Sequence, residues 1–295
     1  MHLKGLIAAV VTPFDKNGNI NPTIISEYTK FLKAQGVLGV FVNGTTGEGF
    51  SLTNNERKTM ASAWAAEKTN NFKIIIHIGH TSQKSSIKLA EHADTLKVNG
   101  IAEIGPIFFK PTKVSELVSY CINTAASTSL PYYYYHMPSM NGLDFNMFEF
   151  LEKADKKIKN LTGIKFTHHN IMDYSKCKNY DNNKYDIIFG REELLLEALA
   201  KGARGAIGST YNIFPQKYLK LMTAFSRGNL TDANEIQSLC RKIIDILCAK
   251  SFFSALRHVL RLQGLETGEA RAPIPSLSTS SKSQLEKELK NIQVL

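Results

Sequence analysis

The segment "LTGIKFTHH", from Leu161 to His169, contains both the repeating unit of the fold and its least expected residue. Leu161, Ile164 and Phe166 are typical of a short apolar strand, but Lys165 stands between the last two. A lysine is rarely buried without a partner, because its charge then loses hydration. Either this is an edge strand whose alternation turns Lys165 toward water, or the strand is internal and the amine serves chemistry.

This strand is one of eight apolar β-type runs, and each is followed by a segment with helical character. Such alternation predicts parallel strands joined by crossover helices. Eight units within about 210 residues are typical of a closed (β/α)₈ TIM barrel rather than an open doubly wound sheet. The predicted strands are Gly5–Val11, Gly39–Val42, Ile74–Ile78, Gly100–Ile104, Pro131–Tyr135, Leu161–Thr167, Tyr185–Phe189 and Gly205–Gly208.

Strand signals stop after Pro215, whereas helical periodicity continues. We predict an α/β barrel over residues 1–214 and a helical C-terminal extension over residues 215–295, packed on the barrel in one structural domain. No low-complexity linker separates the two. The predicted helices are Asn21–Gln35, Asn54–Lys68, Ser82–Lys97, Lys113–Thr128, Phe145–Lys156, Ile171–Lys178, Glu192–Lys201, Lys217–Phe225, Thr231–Lys250, Phe252–Leu262 and Ser281–Ile292.

The composition of the 295 residues, 43% hydrophobic and 21% charged, is that of a soluble globular protein with a sizeable core. A balance of 36 Lys and Arg against 26 Asp and Glu gives a net charge of +10. The basic residues are scattered rather than clustered, so nucleic acid is not expected as a partner. A mild positive field would instead favour the arrival of a small anionic substrate.

The sequence indicates a cytoplasmic protein without a membrane anchor. The apolar run Leu6–Val11 is too short for a signal-peptide core or a membrane span. Cys121, Cys177, Cys240 and Cys248 are widely spaced and form no CxxC pair, so reduced structural thiols are expected.

Three unusual features follow or end predicted strands, where a barrel of this kind carries its catalytic groups. Lys165 ends strand six, Tyr135 ends strand five, and "GTTGEG" (Gly44 to Gly49) follows strand two. The glycines of that loop allow tight turns that expose backbone N–H groups, and Thr45 and Thr46 add hydroxyl donors. Such a nest suits a carboxylate or phosphate, although an ordinary Gly-rich turn has the same composition.

A lysine in apolar surroundings at this rim has a specific use. Desolvation favours the neutral amine, which attacks a carbonyl to form a Schiff base. The protonated imine withdraws electrons, so that a carbon–carbon bond two atoms away can break or form. An anion nest for the carboxylate and a phenol at Tyr135 for proton transfer would suit a 2-oxo acid such as pyruvate.

At this point the residues match a known family. The chain resembles the N-acetylneuraminate lyase branch of the dihydrodipicolinate synthase-like class I aldolases, from "GLIAAVVTPF" to the C-terminal helices. The motifs "GTTGEG", "YYYHMP", "GIKFT" and "GSTYN" occur in family order and at family spacing. The resemblance implies a (β/α)₈ barrel, a homotetramer without metal or organic cofactor, and reversible cleavage of N-acetylneuraminate to N-acetylmannosamine and pyruvate.

The resemblance also implies roles for individual residues. Lys165 would form the Schiff base, Tyr135 would pass the proton to and from the sugar oxygen, and Thr45 and Thr46 would bind the pyruvate carboxylate. The positions that would contact the sugar are Thr167, Gly190, Glu192, Glu193 and Ser209.

Two positions depart from the pattern of related lyases, and a third separates the chain from the synthase. Glu192 stands where many bacterial lyases have aspartate, which changes the fit to the sugar hydroxyls. Phe108 replaces a tyrosine often found after strand four, which affects any proton relay through a neighbouring subunit. Met140, in "HMPSMNG", stands where the synthase has an arginine, so bidentate recognition of a second carboxylate is lost.

Other functions remain open from the sequence. The alternatives are dihydrodipicolinate synthase, a 2-keto-3-deoxy acid aldolase, or a non-catalytic anion-binding barrel, although a binding protein has no need of the amine. The pairs His77/His80 and His168/His169 lack the spacing of a helical zinc motif, and no metal is expected. Glu48 in "GTTGEG" is expected to brace the loop rather than act as a base.

Overall fold

Eight parallel strands close into a barrel in which each strand pairs with its neighbours in chain order. The computed structural model describes residues 2–295. The last strand returns to the first, with Gly205 opposite Gly5 and Gly208 opposite Ala8. This confirms the predicted TIM barrel. The strands are β1 Gly5–Ala9, β2 Gly39–Val42, β3 Lys73–His77, β4 Gly100–Ile104, β5 Tyr132–His136, β6 Leu161–Phe166, β7 Asp186–Phe189 and β8 Gly205–Gly208.

Helices connect the strands and surround the barrel. Local signals set their ends: Thr53 and Glu56 form a capping box that starts the second helix. Pro138 begins a short helix that the sequence analysis did not predict. The helices are α1 Ile25–Ala34, α2 Asn54–Ala66, α3 Gln83–Thr95, α4 Val114–Ala125, α5 Pro138–Asn141, α6 Met147–Ala154, α7 Ile171–Lys178, α8 Leu195–Ala200, α9 Pro215–Ser226, α10 Leu230–Cys248, α11 Phe252–Leu262 and α12 Thr279–Asn291.

Alternation along the strands separates two apolar layers. The tyrosine run of β5 illustrates the rule, since Tyr132 and Tyr134 pack under the helices while Tyr133 and Tyr135 point into the barrel. The interior layer also includes Phe41 and Ile188. Side chains fill the barrel, as they do in other barrels of this size, so it is a packed core rather than a channel.

The C-terminal helices complete the barrel wall and then add a further layer. Helix α9 packs against α8 and β1, in the place of the eighth barrel helix, and α10 packs on α9. The division predicted at residue 214 falls just before α9. We therefore propose that the barrel extends through α9 and that the added layer begins with α10.

None of the helices within residues 2–295 is long and apolar enough to cross a membrane. Cys121, Cys177 and Cys240 are buried, Cys248 is exposed, and all four are free thiols.

Candidate active site

Lys165 points into the barrel at its C-terminal end and is only 4% exposed. In the sheet it lies between Tyr135 of β5 and Ile188 of β7, so β6 is an internal strand and the edge-strand interpretation is wrong. Its Nζ atom lies 3.9 Å from the centre of the Phe41 ring and 3.8 Å from that of Tyr135. The amine is therefore held between two aromatic faces.

The surroundings favour the neutral amine. Burial lowers the pKa of Lys165 to about 7, although the nearby Glu192 carboxylate acts in the opposite direction. An ordinary lysine has a pKa near 10.4, so only a very small fraction would be neutral at physiological pH. A substantial fraction of the Lys165 amine is thus available as a nucleophile near pH 7.

Tyr135 lies next to this amine. Strand β5 continues one residue beyond the predicted end, to His136. The Tyr135 hydroxyl lies 3.4 Å from the Thr45 hydroxyl and 2.8 Å from the Met137 sulfur. Burial raises the pKa of Tyr135 to about 12, so the group is a neutral phenol at neutral pH. A phenol in this position can donate its proton to a bound oxyanion and accept it back from the hydroxyl group that results.

The loop "GTTGEG" follows β2 and lies beside Tyr135, through the Thr45 hydroxyl. The Thr46 hydroxyl lies 2.7 Å from that of Ser209, which joins this loop to the end of β8. The loop is tightly turned, because a Cβ atom on Gly49 would lie 1.9 Å from the carbonyl oxygen of Asn43. Its threonine hydroxyls are thereby brought to the same cavity as Lys165.

Glu48 holds this loop from behind, as expected. Its backbone is left-handed, with φ of 54°, which is uncommon for a residue other than glycine. The buried carboxylate forms an ion pair with Arg257 of α11 and accepts the N–H of Arg271 at 2.8 Å. The C-terminal layer therefore supports the loop conformation.

Glu192 is buried where β7 and β8 meet. Its carboxylate accepts the N–H groups of Ser209 at 2.9 Å and Thr210 at 2.6 Å, and also the Thr210 hydroxyl. Burial raises the pKa of Glu192 to about 7 despite these donors. A Cβ atom on Gly208 would lie 2.4 Å from the Glu192 side chain, so only glycine leaves room for this arrangement.

The structure brings eight of the nine predicted site residues to one cavity of about 200 Å³. The Thr167 hydroxyl is buried there without a hydrogen-bond partner, which leaves it free for a ligand. Glu193 is the exception, since its carboxylate pairs with Arg191 outside the lining residues. The eight that line the cavity are Thr45, Thr46, Tyr135, Lys165, Thr167, Gly190, Glu192 and Ser209.

Sequence reasoning missed the apolar wall of this cavity. Phe252 and Phe253, at the start of α11, line it together with Met137 and Ile207. The adjacent phenylalanines at a helix start are a weak signal, and nothing local indicates that a helix from the C-terminal layer reaches the barrel mouth. His77, considered as a metal ligand from sequence, instead packs in the interior with its Nδ1 atom 3.0 Å from the Asn43 carbonyl oxygen.

Comparisons with known proteins place the whole chain in a family. The model of the dihydrodipicolinate synthetase family matches residues 2–292. N-acetylneuraminate lyase of the mouse, Mus musculus, is 37% identical over 299 aligned positions, which cover 99% of this chain and 93% of the mouse protein.

Solved structures are also similar. Proteus mirabilis N-acetylneuraminate lyase has a TM-score of 0.96 and 38% identity, with both chains covered completely. A catalytic lysine mutant of Ruminococcus gnavus sialic acid aldolase has a TM-score of 0.91 and 30% identity, covering 99% of this chain and 97% of that one.

Proposed function

The chain belongs to the dihydrodipicolinate synthetase family, and we propose that within it this protein is an N-acetylneuraminate lyase. It is a carbon–carbon lyase that reversibly cleaves N-acetylneuraminate to N-acetylmannosamine and pyruvate through a Schiff base. The observation that carries the proposal is the buried Lys165 amine, with its pKa lowered to about 7, beside the Tyr135 phenol. The curated relatives named above support the substrate.

Each group in the cavity has a role in the proposed reaction. The neutral Lys165 amine attacks the C2 ketone of the open-chain sugar acid, water leaves, and a protonated imine results. The C4 hydroxyl then loses its proton, and the C3–C4 bond breaks to release the aldehyde of N-acetylmannosamine. The electron pair of the broken C3–C4 bond moves toward the protonated imine, which becomes an enamine. The enamine takes a proton at C3, and water then hydrolyses the resulting imine to pyruvate and the free Lys165 amine. Tyr135 relays the hydroxyl proton.

The remaining residues bind the two ends of the substrate. Thr45 and Thr46 hold the carboxylate through hydroxyl and backbone donors, which fixes the ketone next to Lys165. The polyhydroxyl part of the substrate contacts Thr167, Gly190, Glu192, Glu193 and Ser209. The free hydroxyl of Thr167 and the shared cavity support this assignment for all but Glu193.

The lyase assignment is favoured over the synthase by the turn after β5. Met140 is 56% exposed on α5, at the position where the synthase has its arginine. A thioether cannot bind a second substrate carboxylate in the bidentate way a guanidinium does.

The proposal also covers the cofactor requirement, the cellular compartment and the oligomeric state. The imine itself is the electron sink, so no cofactor is required, and the reaction is cytoplasmic. A homotetramer is supported by the loop after β4, where Phe108 is 79% and Phe109 is 86% exposed. Exposed aromatic pairs of this kind are typical of interaction surfaces. Light scattering on a size-exclusion column would test the assembly.

Reductive trapping tests the mechanism. Pyruvate with borohydride should leave a stable adduct on Lys165, located by mass spectrometry after digestion. Lys165→Met should form none, whereas Lys178→Met, which removes another buried lysine, should be labelled normally. An adduct on a different lysine, or no adduct, would exclude the Schiff-base mechanism.

Product analysis tests the substrate. The protein should release pyruvate from N-acetylneuraminate and should not condense pyruvate with aspartate semialdehyde. Trapping on Lys165 together with the opposite substrate preference would keep the mechanism but overturn the lyase assignment.

A further inference from the structure

Two histidines and an aspartate meet behind the catalytic strands, outside the cavity. His136 ends β5, His168 follows β6, and Asp144 lies in the loop between α5 and α6. One ligand atom of each residue lies within 4.8 Å of the other two. His168 Nε2 lies 3.8 Å from Asp144 Oδ1.

His136 is an independent sign that this cluster is incomplete. Its side chain is completely buried, and both ring nitrogens lack a hydrogen-bond partner. Buried polar atoms are nearly always paired, because an unpaired one loses its water without compensation. The surrounding rings are those of Tyr134, Phe166 and His168, which leave the imidazole nitrogens without a protein acceptor.

We propose that His136, His168 and Asp144 bind a divalent transition-metal ion, zinc in the first instance. Two imidazoles and one carboxylate are ligands that zinc accepts, whereas magnesium and calcium prefer oxygen. Burial favours the neutral imidazole, the form that binds metal.

The three ligand atoms, which lie within 4.8 Å of one another, must approach by up to about 1 Å to bind zinc. Ligand atoms about 2.0–2.2 Å from a tetrahedral zinc ion lie roughly 3.3–3.6 Å from one another. The 3.8 Å between His168 Nε2 and Asp144 Oδ1 is close to the separation of two zinc ligands. The Asp144 side chain is 69% exposed in its loop and is free to move inward. Asp144 also opens the site to solvent, which provides an entry path and a place for water as the fourth ligand.

The proposed ion is structural rather than catalytic. His136 and His168 point away from the barrel interior, into which their near neighbours Tyr135 and Lys165 point. The metal would join the ends of β5 and β6 to the loop that carries Asp144. It would touch neither substrate nor the reacting amine, and the proposal is independent of which substrate the protein cleaves.

Metal titration tests the proposal directly. Untagged full-length protein is stripped with a chelator and titrated with zinc chloride by calorimetry, and cobalt chloride is followed by its visible spectrum. We expect one zinc ion per chain, no competition from magnesium, and a rise in Tm of about 5 °C at hundredfold excess over Kd. Asp144→Asn and His168→Ala should each weaken Kd at least about tenfold and remove the cobalt spectrum.

Glu286→Gln is the matched control. Glu286 lies 2.9 Å from His258, so the variant also removes a carboxylate opposite a buried histidine, but without a second histidine. It should bind zinc normally. Because Asp144 is exposed, Asp144→Asn keeps the test valid even if His168→Ala fails to fold. The proposal is overturned if zinc does not bind stoichiometrically, if Asp144→Asn binds normally, or if Glu286→Gln weakens binding equally.

Discussion

The amine of Lys165 is almost completely removed from water, with an aromatic ring on each side. Ring faces attract the ammonium form, and so does the carboxylate of Glu192, yet desolvation is the larger effect. Burial lowers the pKa of the Lys165 amine but raises that of the Tyr135 phenol, because in each case it disfavours the charged form. The phenol therefore stays protonated. Residue by residue, the barrel interior therefore favours the two uncharged groups that imine chemistry needs.

The first prediction concerns the pH dependence of the amine. Competitive acetylation with trace acetic anhydride, read by peptide mass spectrometry, should give half-maximal reactivity of Lys165 near pH 7, whereas ordinary lysines titrate near 10.4. Because protonation removes the nucleophile, reactivity should rise with pH. Glu192→Gln should move the midpoint lower, since the carboxylate stabilises the ammonium. A midpoint above pH 9 in the unmodified protein would contradict the proposed role of burial.

The second prediction separates the phenol from the amine. Tyr135→Phe should still trap pyruvate on Lys165 but should lose about 10²–10⁴-fold in kcat, the usual contribution of a positioned acid–base group. Tyr133→Phe is the control, because this tyrosine shares the strand and the face but donates to Asp186 at 3.1 Å, away from the cavity. Near-normal turnover in Tyr135→Phe would remove the phenol from the mechanism.

At the scale of elements, the weakest seam of the barrel lies between β7 and β8, which share one register pair, Phe189 with Ala206. Glu192 lies at the top of this seam and accepts backbone N–H groups from Ser209 and Thr210. Its carboxylate thus substitutes for ladder hydrogen bonds that the short strands do not make. Ser209 also contacts the Thr46 hydroxyl, but through its side-chain hydroxyl rather than through the N–H group that Glu192 accepts.

The third prediction tests whether the Glu192 carboxylate also binds the sugar. Glu192→Ala should lower kcat/KM for N-acetylneuraminate by about tenfold or more, equivalent to roughly 1.4 kcal/mol, while pyruvate trapping on Lys165 persists. It should also lower Tm, because the N–H groups of Ser209 and Thr210 lose their acceptor. Glu197→Ala, which removes a half-exposed carboxylate from α8, is the control. A lower Tm with unchanged kcat/KM would leave Glu192 a purely structural role.

At the scale of the whole molecule, the C-terminal layer forms part of the candidate active site. Helix α11 contributes Phe252 and Phe253 to the cavity wall and Arg257 to the support of Glu48. Arg257 also donates to the carbonyl oxygens of Thr12 and Thr267 at 2.9 and 2.7 Å, which ties the segment after β1, the loop after β2 and the C-terminal layer together. Without this layer the barrel would lack both an anchored anion loop and one wall of its cavity.

The fourth prediction follows from that buried ion pair. Arg257→Met should reduce the free energy of unfolding by about 3–5 kcal/mol, because it leaves Glu48 buried and unpaired. Pyruvate trapping should weaken as well, since the loop holding Thr45 and Thr46 loses its support. Arg261→Met, which breaks a largely exposed pair with Glu266, should change stability by about 0–1 kcal/mol. Equal losses in the two variants, measured by urea unfolding, would contradict the argument.

The sequence alone determined the barrel and most of the residues that line the candidate cavity. Apolar runs alternating with helical periodicity predict the strand order, and the period of two along a strand predicts that Lys165 lies opposite Ile164 and Phe166. Both depend on neighbours in the chain, which is why they could be predicted. Strand and helix ends differed from prediction by a few residues, since the final turns depend on local hydrogen bonds.

Only the tertiary structure decided which residues meet across the chain. The pairing of β6 with both β5 and β7 turned Lys165 from a possible edge residue into a buried amine. The pairing of Glu48 with Arg257, separated by 209 residues, and the meeting of His136 with His168 leave no local pattern. The physical reason is that desolvation and hydrogen bonding depend on every atom around a group, and that surrounding exists only once distant segments have packed together.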